Sequence, residues 1–209
     1  MVSDKPAIDT QEQIDKGITI LKKGGLVAFP TDTVYGLGAC YNNYEAVERI
    51  YRIKKRPRNK ALPLILAEVA QISEIAEYVS PAAWLLAGRF LPGALTIVLT
   101  KSKSVPDIIT GGAKTVAVRI PAHPVPVALI RGVGMPIIGT SADLSGEPSI
   151  LAASEICSQF GDKIDLVIDV GRCPGGREST IVDVTGEVPR VLREGAVSRQ
   201  ELAQACGII

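Results

Sequence analysis

The sequence predicts an α/β (α+β) protein built on a twisted, mixed β-sheet with flanking helices. Short runs rich in Val, Ile and Leu alternate with stretches whose apolar residues recur at helical spacing, which is typical of strands covered by helices. Several strand-to-strand steps late in the chain favour a mixed sheet over a regular doubly wound one. Because no repeat or low-complexity linker interrupts the 209 residues, we expect a single domain over residues 1–209 with its core at about residues 14–197.

The individual elements follow from these patterns. Val47, Ile50 and Tyr51, for example, recur at helical spacing and predict the buried stripe of one helix. Strands are predicted at residues 26–29, 62–67, 95–100, 116–120, 136–139, 166–170, 181–184 and 190–192. Helices are predicted at residues 9–23, 44–55, 69–79, 81–90, 125–131, 152–160 and 198–205.

Composition excludes several classes of function. Charges or prolines break every apolar run before the ~20 residues that a membrane span needs, and residues 1–17 lack the pattern of a signal peptide. We therefore expect a cytoplasmic protein with no membrane partner. The four cysteines are widely spaced and form no C-x-x-C pair, which argues against a zinc site or a redox motif. A single histidine, His123, excludes a histidine cluster, and its proline-flanked position favours a structural role in a turn or cap.

Positive charge is concentrated in one segment. Residues 49–60, RIYRIKKRPRNK, hold seven basic residues and no acid, so the remaining chain has 16 basic and 22 acidic residues. Lys54 and Lys55 fall in the last turn of a predicted helix, where cations complement the helix dipole. Basic residues then continue into the loop before the next strand, a position suited to phosphate binding. Both interpretations stay open at this point.

Three further segments place hydroxyls, glycines and arginines beside predicted strand ends. They are PTDTVYGLG at residues 30–38, GTSADLSG at 139–146 and GRCPGGREST at 171–180. Ligands of α/β proteins commonly bind at strand ends, and arginine forks suit phosphate. Each segment alone could be a turn, and Gly36–Gly38 in particular indicates a simple tight turn. The dinucleotide-binding G-x-G-x-x-G and the P-loop motif are both absent from the sequence.

Taken together, these segments resemble the YrdC family, the L-threonylcarbamoyl-AMP synthases. The matching segments occur in family order and extend from about residue 22 to residue 195, as in the short, single-domain members. They are PTDTVYGLG, the K-x-R pattern at residues 54–56 followed by proline, VRIP at 118–121, TSADLSG at 140–146, STIVD at 179–183 and REG at 193–195.

The resemblance implies a YrdC-like domain with a large ligand cavity and a nucleotidyltransferase activity. Such an enzyme forms threonylcarbamoyl-AMP and pyrophosphate from ATP, L-threonine and bicarbonate, for threonylcarbamoyladenosine modification of tRNA. Mg²⁺ is expected to accompany ATP without a dedicated protein cage, and Asp143 is the one candidate protein ligand for it. A downstream threonylcarbamoyl transferase is the expected partner. The basic segment 49–60 is the candidate contact with tRNA.

The resemblance also implies roles for individual residues. Lys54 and Arg56 would be catalytic and act on the phosphates. Thr31 and Tyr35 would shape the pocket. The expected ATP-binding residues are Arg56, Lys60, Thr115, Ser141, Asp143 and Arg193, and the expected threonine-binding residues are Thr33, Arg119, Thr140 and Ser179.

Two positions depart from the family pattern. Asp143 stands where the family usually has the Asn of S-x-N, and Ala61 interrupts the usual Pro-Leu after Lys60. A carboxylate beside a triphosphate is repelled unless a cation neutralises it. Two alternatives therefore stay open: a YrdC-like paralogue with another carbamoyl or acyl adenylate substrate, and a non-catalytic RNA-binding module. The low aromatic content of 4% weighs against the second because it leaves few stacking surfaces.

Overall fold

Two mixed β-sheets form the centre of the computed structural model, which describes residues 9–206. The helices are α1 (Thr10–Lys22), α2 (Tyr44–Ile53), α3 (Ile72–Ile75), α4 (Pro81–Phe90), α5 (Asp107–Thr110), α6 (Pro124–Val133), α7 (Ala153–Phe160) and α8 (Arg199–Cys206), with 3₁₀ turns at Val69–Gln71 and Gly161–Lys163. The strands are β1 (Val27–Phe29), β2 (Gly36–Gly38), β3 (Leu64–Ile65), β4 (Leu95–Thr100), β5 (Thr115–Arg119), β6 (Ile137–Ile138), β7 (Thr140–Ser141), β8 (Leu166–Val167), β9 (Thr180–Asp183) and β10 (Arg190–Arg193). The predicted α/β class is confirmed.

The strands form a four-stranded and a six-stranded sheet where the sequence predicted one. The orders are β7-β2-β1-β8 and β10-β9-β4-β5-β3-β6. Parallel pairs (β1 with β8, β3 with β5, β4 with β9) stand among antiparallel ones, so both sheets are mixed. The chain leaves the larger sheet at Ile138 and enters the smaller one at Thr140. Apolar patterning indicates that each segment is a strand but does not specify its partner, which is why the division was not predicted.

Strand alternation gives the six-stranded sheet one apolar and one mixed face. Successive side chains of a strand point to opposite faces. Leu95, Ile97 and Leu99 of β4, with Val116 and Val118 of β5, are buried in the larger apolar core. The intervening residues of both strands face a cavity on the other side. The fold therefore supplies a rigid floor for a ligand site.

A second apolar core joins α1 to α6 over the smaller sheet. Helix α1 begins at the N-cap Asp9, whose side chain accepts a hydrogen bond from the Gln11 N–H. Its buried face contains Ile14, Gly17 and Leu21. A Cβ on Gly17 would lie 2.9 Å from Leu129 Cδ2, so the glycine allows α6 to pack closely.

Gly36–Gly38 is strand β2, not the tight turn predicted from the sequence. It pairs antiparallel with β1. The Phe29 ring lies over both glycines: a Cβ on Gly36 would be 2.7 Å from Phe29 Cε2, and one on Gly38 would be 2.7 Å from Phe29 Cε1. The glycines are therefore needed for close packing and not for a turn conformation.

Other predicted elements are shorter or interrupted. The helix predicted at residues 69–79 is a 3₁₀ turn followed by α3, and Ala76 is extended and bridges to Lys101. The strands predicted at 62–67, 136–139 and 166–170 keep two paired residues each. The short elements β7 and α5 were not predicted because two to four residues carry no periodicity.

His123 caps α6, in agreement with the structural role expected for it. Its Nδ1 accepts a hydrogen bond of 3.2 Å from the Val125 N–H, and Pro124 occupies the first turn. An accepting Nδ1 is unprotonated. Partial burial lowers the pKa of His123 below its ordinary value, although the negative charge of Asp32 opposes this shift.

We expect Gly38→Ala to lower the free energy of unfolding by ~1–3 kcal/mol, because the added methyl group overlaps the Phe29 ring and the Ile138 carbonyl oxygen. Gly88→Ala is the matched control: nothing lies within 4 Å of a Cβ at this position in α4. It should raise stability by ~0.5–1 kcal/mol through helix propensity. Urea denaturation measures both, and equal effects of the two substitutions would contradict the packing argument.

We expect the stability contribution of His123 to be lost in acid. Because its pKa is depressed in the folded state, the unfolded chain binds more protons around and below about pH 6.5, and folding weakens as the pH falls through this range. His123→Asn retains a capping oxygen but does not titrate. Urea denaturation should show the variant gaining stability relative to the wild type between about pH 7.5 and about pH 5.5. A difference that is independent of pH would refute the assignment.

Candidate active site

A cavity of about 580 Å³ lies between the two sheets. Thr96 and Val98 of β4 and Thr115 and Ala117 of β5 form its floor, and the segments around β2 and β7 line another side. Of the residues predicted for the site, all except Lys54 line this cavity. They are Thr31, Thr33, Tyr35, Arg56, Lys60, Thr115, Arg119, Thr140, Ser141, Asp143, Ser179 and Arg193.

Arg119 is buried at the end of β5, on the face that the strand alternation predicts. Its Nε donates to the Gly93 carbonyl oxygen (2.9 Å), its Nη1 to Thr33 Oγ1 (2.9 Å) and its Nη2 to Asp32 Oδ1 (2.7 Å). Burial lowers the pKa of Arg119, and the nearby Asp32 carboxylate opposes that shift. The guanidinium is therefore fixed on three sides, and it lines the cavity.

Thr31 and Tyr35 brace the loop that carries Thr33. Thr31 Oγ1 donates to the Val34 carbonyl oxygen at 2.7 Å and lies 3.1 Å from Thr33 Oγ1. The Tyr35 hydroxyl donates to the Gly171 carbonyl oxygen at 2.9 Å, and burial raises the pKa of this phenol. Both residues line the cavity.

Lys54 lies beneath the cavity wall and not on its surface. The residue is 0% exposed. Its Nζ donates to the carbonyl oxygens of Ser141 and Asp143 and forms an ion pair of 3.3 Å with Asp143 Oδ2. Burial lowers the pKa of Lys54, while Asp143 opposes the shift. Lys54 thus contacts the segment that carries Ser141 and Asp143 and, unlike the other residues predicted for the site, does not line the cavity.

The Asp143 carboxylate, which stands where the family usually has Asn, is paired with a cation. Lys54 supplies the cation through Oδ2. The other carboxylate oxygen, Oδ1, is buried with no hydrogen-bond partner among residues 9–206, and so is Ser145 Oγ. Both residues line the cavity. Paired with Lys54, the carboxylate is not a net negative charge beside the ligand.

Arg56 reaches the cavity because α2 ends just before it. Lys55 has a left-handed backbone (φ 50°), a conformation more often taken by glycine, and the Arg56 N–H bonds back to the Tyr51 carbonyl oxygen at 2.9 Å. The Arg56 side chain donates to the carbonyl oxygens of Lys60 (3.1 Å) and Ala61 (2.6 Å). Backbone carbonyls orient the guanidinium without neutralising it.

Arg193 and Ser179 meet at the opposite wall. Arg193 donates from Nε and Nη2 to the Ser179 carbonyl oxygen, at 3.2 and 2.9 Å, and pairs with Glu178. Ser179 Oγ lies 2.8 Å from Thr96 Oγ1. Glu178 also accepts a hydrogen bond from Ser149 at 2.8 Å.

Sequence reasoning missed four residues of this site: Asp32, Thr96, Ser145 and Glu178. Asp32 and Ser145 lie inside motifs that were identified, so their acid and hydroxyl groups were visible signals. Glu178 adjoins Ser179 in the same way. Thr96 is a polar residue within an apolar strand, and this exception to the pattern was its signal.

The basic segment 49–60 is partly engaged within the protein. Arg49 pairs with Asp165 at 3.0 Å. Arg58 pairs with Glu48 and lies 5.0 Å from the centre of the Tyr51 ring. Lys54 and Arg56 make the contacts given above, whereas the other basic residues are exposed: Arg52, Lys55, Arg58 and Lys60.

Within residues 9–206, no disulfide joins the four cysteines. In the described part of the chain, no group of three or more His, Cys, Asp or Glu residues is placed to hold a metal ion. Across the same residues, no helix has the length and apolar character needed to cross a membrane.

Comparison with known proteins places this cavity in a known family. The Sua5/YciO/YrdC family model, described as "Telomere recombination", matches residues 19–195. The threonylcarbamoyl-AMP synthase of Pyrococcus abyssi is 43% identical over 189 residues, which cover 90% of this chain and 56% of that protein. The synthase of Coxiella burnetii is 35% identical over 184 residues, covering 88% of this chain and 99% of that protein.

A solved structure agrees with these sequence matches. The crystal structure of P. abyssi Sua5 complexed with L-threonine superposes with a TM-score of 0.93 at 42% identity, covering 97% of this chain and 59% of that one. The chain therefore belongs to the Sua5/YciO/YrdC family. It spans little more than half the length of the P. abyssi relative.

We expect Lys54→Met to lower the free energy of unfolding by ~3–5 kcal/mol, because it leaves the buried Asp143 carboxylate without its cation. Lys60→Met is the matched control, since the exposed Lys60 ammonium has no ion-pair or hydrogen-bond partner within residues 9–206, and it should change stability by less than ~0.5 kcal/mol. Urea denaturation compares the two. Similar small losses for both variants would show that Lys54 does not hold the cavity wall.

Proposed function

We propose that this chain is a threonylcarbamoyl-AMP synthase, which forms threonylcarbamoyl-AMP and pyrophosphate from ATP, L-threonine and bicarbonate. One observation carries the proposal. A single cavity combines an arginine suited to an amino-acid carboxylate, Arg119, with separate cations suited to a triphosphate, Arg56, Lys60 and Arg193. Family membership and the threonine complex of the P. abyssi relative support the same assignment.

The amino-acid end of the proposed site is formed by Arg119 and neighbouring hydroxyls. A planar guanidinium binds a carboxylate through two parallel hydrogen bonds. Thr33 Oγ1 accepts from Arg119 and, because the single Thr31 hydroxyl proton goes to the Val34 carbonyl oxygen, donates its own proton to Thr31. It therefore keeps one lone pair as an acceptor for a ligand. Thr140 and Ser179 add hydroxyl groups along the same cavity. These groups suit a small, hydroxylated amino acid.

The nucleotide end is formed by cations that are held in place by the protein. Arg56 and Arg193 are oriented by backbone carbonyl oxygens, so each guanidinium is fixed before a ligand arrives. Lys60 adds an exposed ammonium group. Thr115 and Ser141 contribute polar surface to the same walls. Fixed positive charge of this kind stabilises the transition state of phosphoryl transfer more than the ground state.

The proposed reaction needs electrostatic help more than a proton-transfer residue. The threonine ammonium group loses a proton to water, its nitrogen then forms a bond to the bicarbonate carbon with loss of water, and an N-carboxylate results. A carboxylate oxygen then bonds to the α-phosphorus, the bond from this phosphorus to the bridging oxygen breaks, and pyrophosphate leaves. Arg56, Lys60 and Arg193 would neutralise charge on the phosphoryl oxygens. This chemistry suits a chain whose single histidine caps a helix.

We infer that Mg²⁺ accompanies ATP and is held by its phosphates. Asp143 is a poor protein ligand for it because no group of three or more His, Cys, Asp or Glu residues among residues 9–206 completes a metal site. When bound, Mg²⁺ supplies charge neutralisation on the triphosphate. The protein residues bind and orient the nucleotide around it.

The product would pass to a separate threonylcarbamoyl transferase that modifies tRNA. A tRNA contact through residues 49–60 would use the exposed Arg52, Lys55, Arg58 and Lys60, since Lys54 and Arg56 are engaged within the protein. The cavity between the two sheets favours an enzyme over a non-catalytic RNA-binding module.

The direct test incubates the purified chain with ATP, bicarbonate and L-threonine. We expect threonine-dependent release of pyrophosphate and an adenylate with the mass of threonylcarbamoyl-AMP. Serine and alanine, each lacking part of the threonine side chain, should give much slower release. Pyrophosphate release that is indifferent to the amino acid would point to the paralogue with another substrate and contradict the proposal.

We expect Arg119→Lys to raise the KM for threonine by about tenfold or more, because lysine keeps the charge but loses the two-pronged hydrogen bond. The KM for ATP should change little. Arg89→Lys, at an exposed position of α4 remote from the cavity lining, is the control. Steady-state kinetics measure both constants, and an unchanged KM for threonine would remove Arg119 from the amino-acid site.

A further inference from the structure

Two polar atoms of the cavity wall have no partner within the described chain. Asp143 Oδ1 and Ser145 Oγ are buried and accept or donate no hydrogen bond among residues 9–206. Both side chains line the cavity, and Asp143 is only 5% exposed. Buried polar atoms are rarely left unpaired in folded proteins. The two atoms therefore indicate where a polar group of a ligand binds.

The chemistry of this pair of atoms selects a hydrogen-bond donor. An ionised carboxylate oxygen only accepts, so Asp143 Oδ1 cannot bind a phosphate oxygen. Lys54 cannot bind a phosphate oxygen at this point either. Its three N–H groups are taken up by the Ser141 and Asp143 carbonyl oxygens and by Asp143 Oδ2. The required ligand group is one that donates to Oδ1.

A divalent cation is a poor occupant for the same position. Mg²⁺ needs about six oxygen ligands, and Asp143 Oδ1 supplies only one of them here. The other carboxylates of the cavity do not complete a ligand set: Glu178 is bound by Ser149 and Arg193, and Glu147 is exposed. A donor group on an organic substrate fits better than a metal ion.

We propose that Asp143 and Ser145 bind the α-ammonium group of the amino-acid substrate. The inference rests on the proposed function. In the proposed reaction Arg119 binds the substrate carboxylate. The substrate amine is carboxylated, and the product then reacts with the α-phosphate. The amine must therefore lie near the phosphate-binding cations. Asp143 is tied to the end of α2, two residues before Arg56, through Lys54 Nζ, and Arg56 lines the same cavity. A carboxylate at this point recognises a positively charged donor more strongly than a neutral one.

Paired ligands test the proposal by calorimetry. L-Threonine and 2,3-dihydroxybutanoate, in which a hydroxyl replaces the ammonium group, are titrated into the full chain without Mg²⁺ or bicarbonate. Each titration is repeated with a non-hydrolysable ATP analogue present, and the analogue itself is titrated with and without Mg²⁺. The variants are Asp143→Asn, which keeps an acceptor for Lys54, and Ser145→Ala, which breaks no hydrogen bond among residues 9–206. Asp107→Asn is the control, because its exposed carboxylate also pairs with a lysine.

We expect Asp143→Asn to weaken threonine binding by about tenfold or more and Ser145→Ala by about threefold, since a charge-assisted hydrogen bond is stronger than a neutral one. Binding of 2,3-dihydroxybutanoate should change by less than about twofold, and Asp107→Asn should change neither ligand. Thermal denaturation checks that each variant is folded.

Several results would overturn the proposal. Equal losses for both ligands would indicate a distorted wall, and unchanged threonine binding in both variants would remove the two residues from the amino-acid site. A loss confined to titrations of the ATP analogue would assign Asp143 to a nucleotide hydroxyl, or to Mg²⁺ if the loss appeared only when the metal was added. Wild-type protein that binds no threonine in either condition would refute the proposed function itself, an outcome distinct from the others.

Discussion

The buried ion pair between Lys54 and Asp143 is the interaction on which the cavity wall depends. A lysine ammonium that is removed from water must find acceptors, and here it finds a carboxylate and two carbonyl oxygens in the segment after β7. The backbone reinforces the same junction: the Ser145 N–H donates to the Lys54 carbonyl oxygen at 2.9 Å, and the Ala142 N–H donates to the Tyr35 carbonyl oxygen at 2.8 Å. The end of α2, strand β2 and residues 141–145 are thereby held together.

The three arginines of the cavity share one mode of support. Arg56 is oriented by the Ala61 carbonyl oxygen, Arg119 by that of Gly93 and Arg193 by that of Ser179. A carbonyl dipole orients a guanidinium group and leaves its net charge intact. Carboxylates also contact two of these arginines: Asp32 pairs with Arg119, and Glu178 pairs with Arg193. Each carboxylate binds part of the guanidinium group, and other N–H groups remain for a ligand. Positive charge is in this way fixed before substrate binds, which reduces the reorganisation needed in the transition state.

Much of this arrangement could be predicted from the sequence, and the exceptions have physical causes. Alternation along β5 predicted that Ala117 and Arg119 share a face, because side-chain direction in a strand is a local property. The burial of Lys54 was not predictable. A lysine in the last turn of a helix is expected to be exposed to solvent, and its partner Asp143 lies 89 residues away in the sequence. The packing of Gly36 and Gly38 under Phe29 depends in the same way on the pairing of β2 with β1. Local chemistry was visible in the sequence, whereas contacts between distant segments were not.

A crystal structure of this chain with L-threonine and a non-hydrolysable ATP analogue tests the central claim most directly. The account predicts that Lys54 Nζ stays within hydrogen-bonding distance of Asp143 Oδ2 and of the Ser141 carbonyl oxygen, while Arg56 and Arg193 contact the phosphates and Arg119 contacts the threonine carboxylate. A structure in which Lys54 has left Asp143 and binds a phosphate oxygen directly would contradict it.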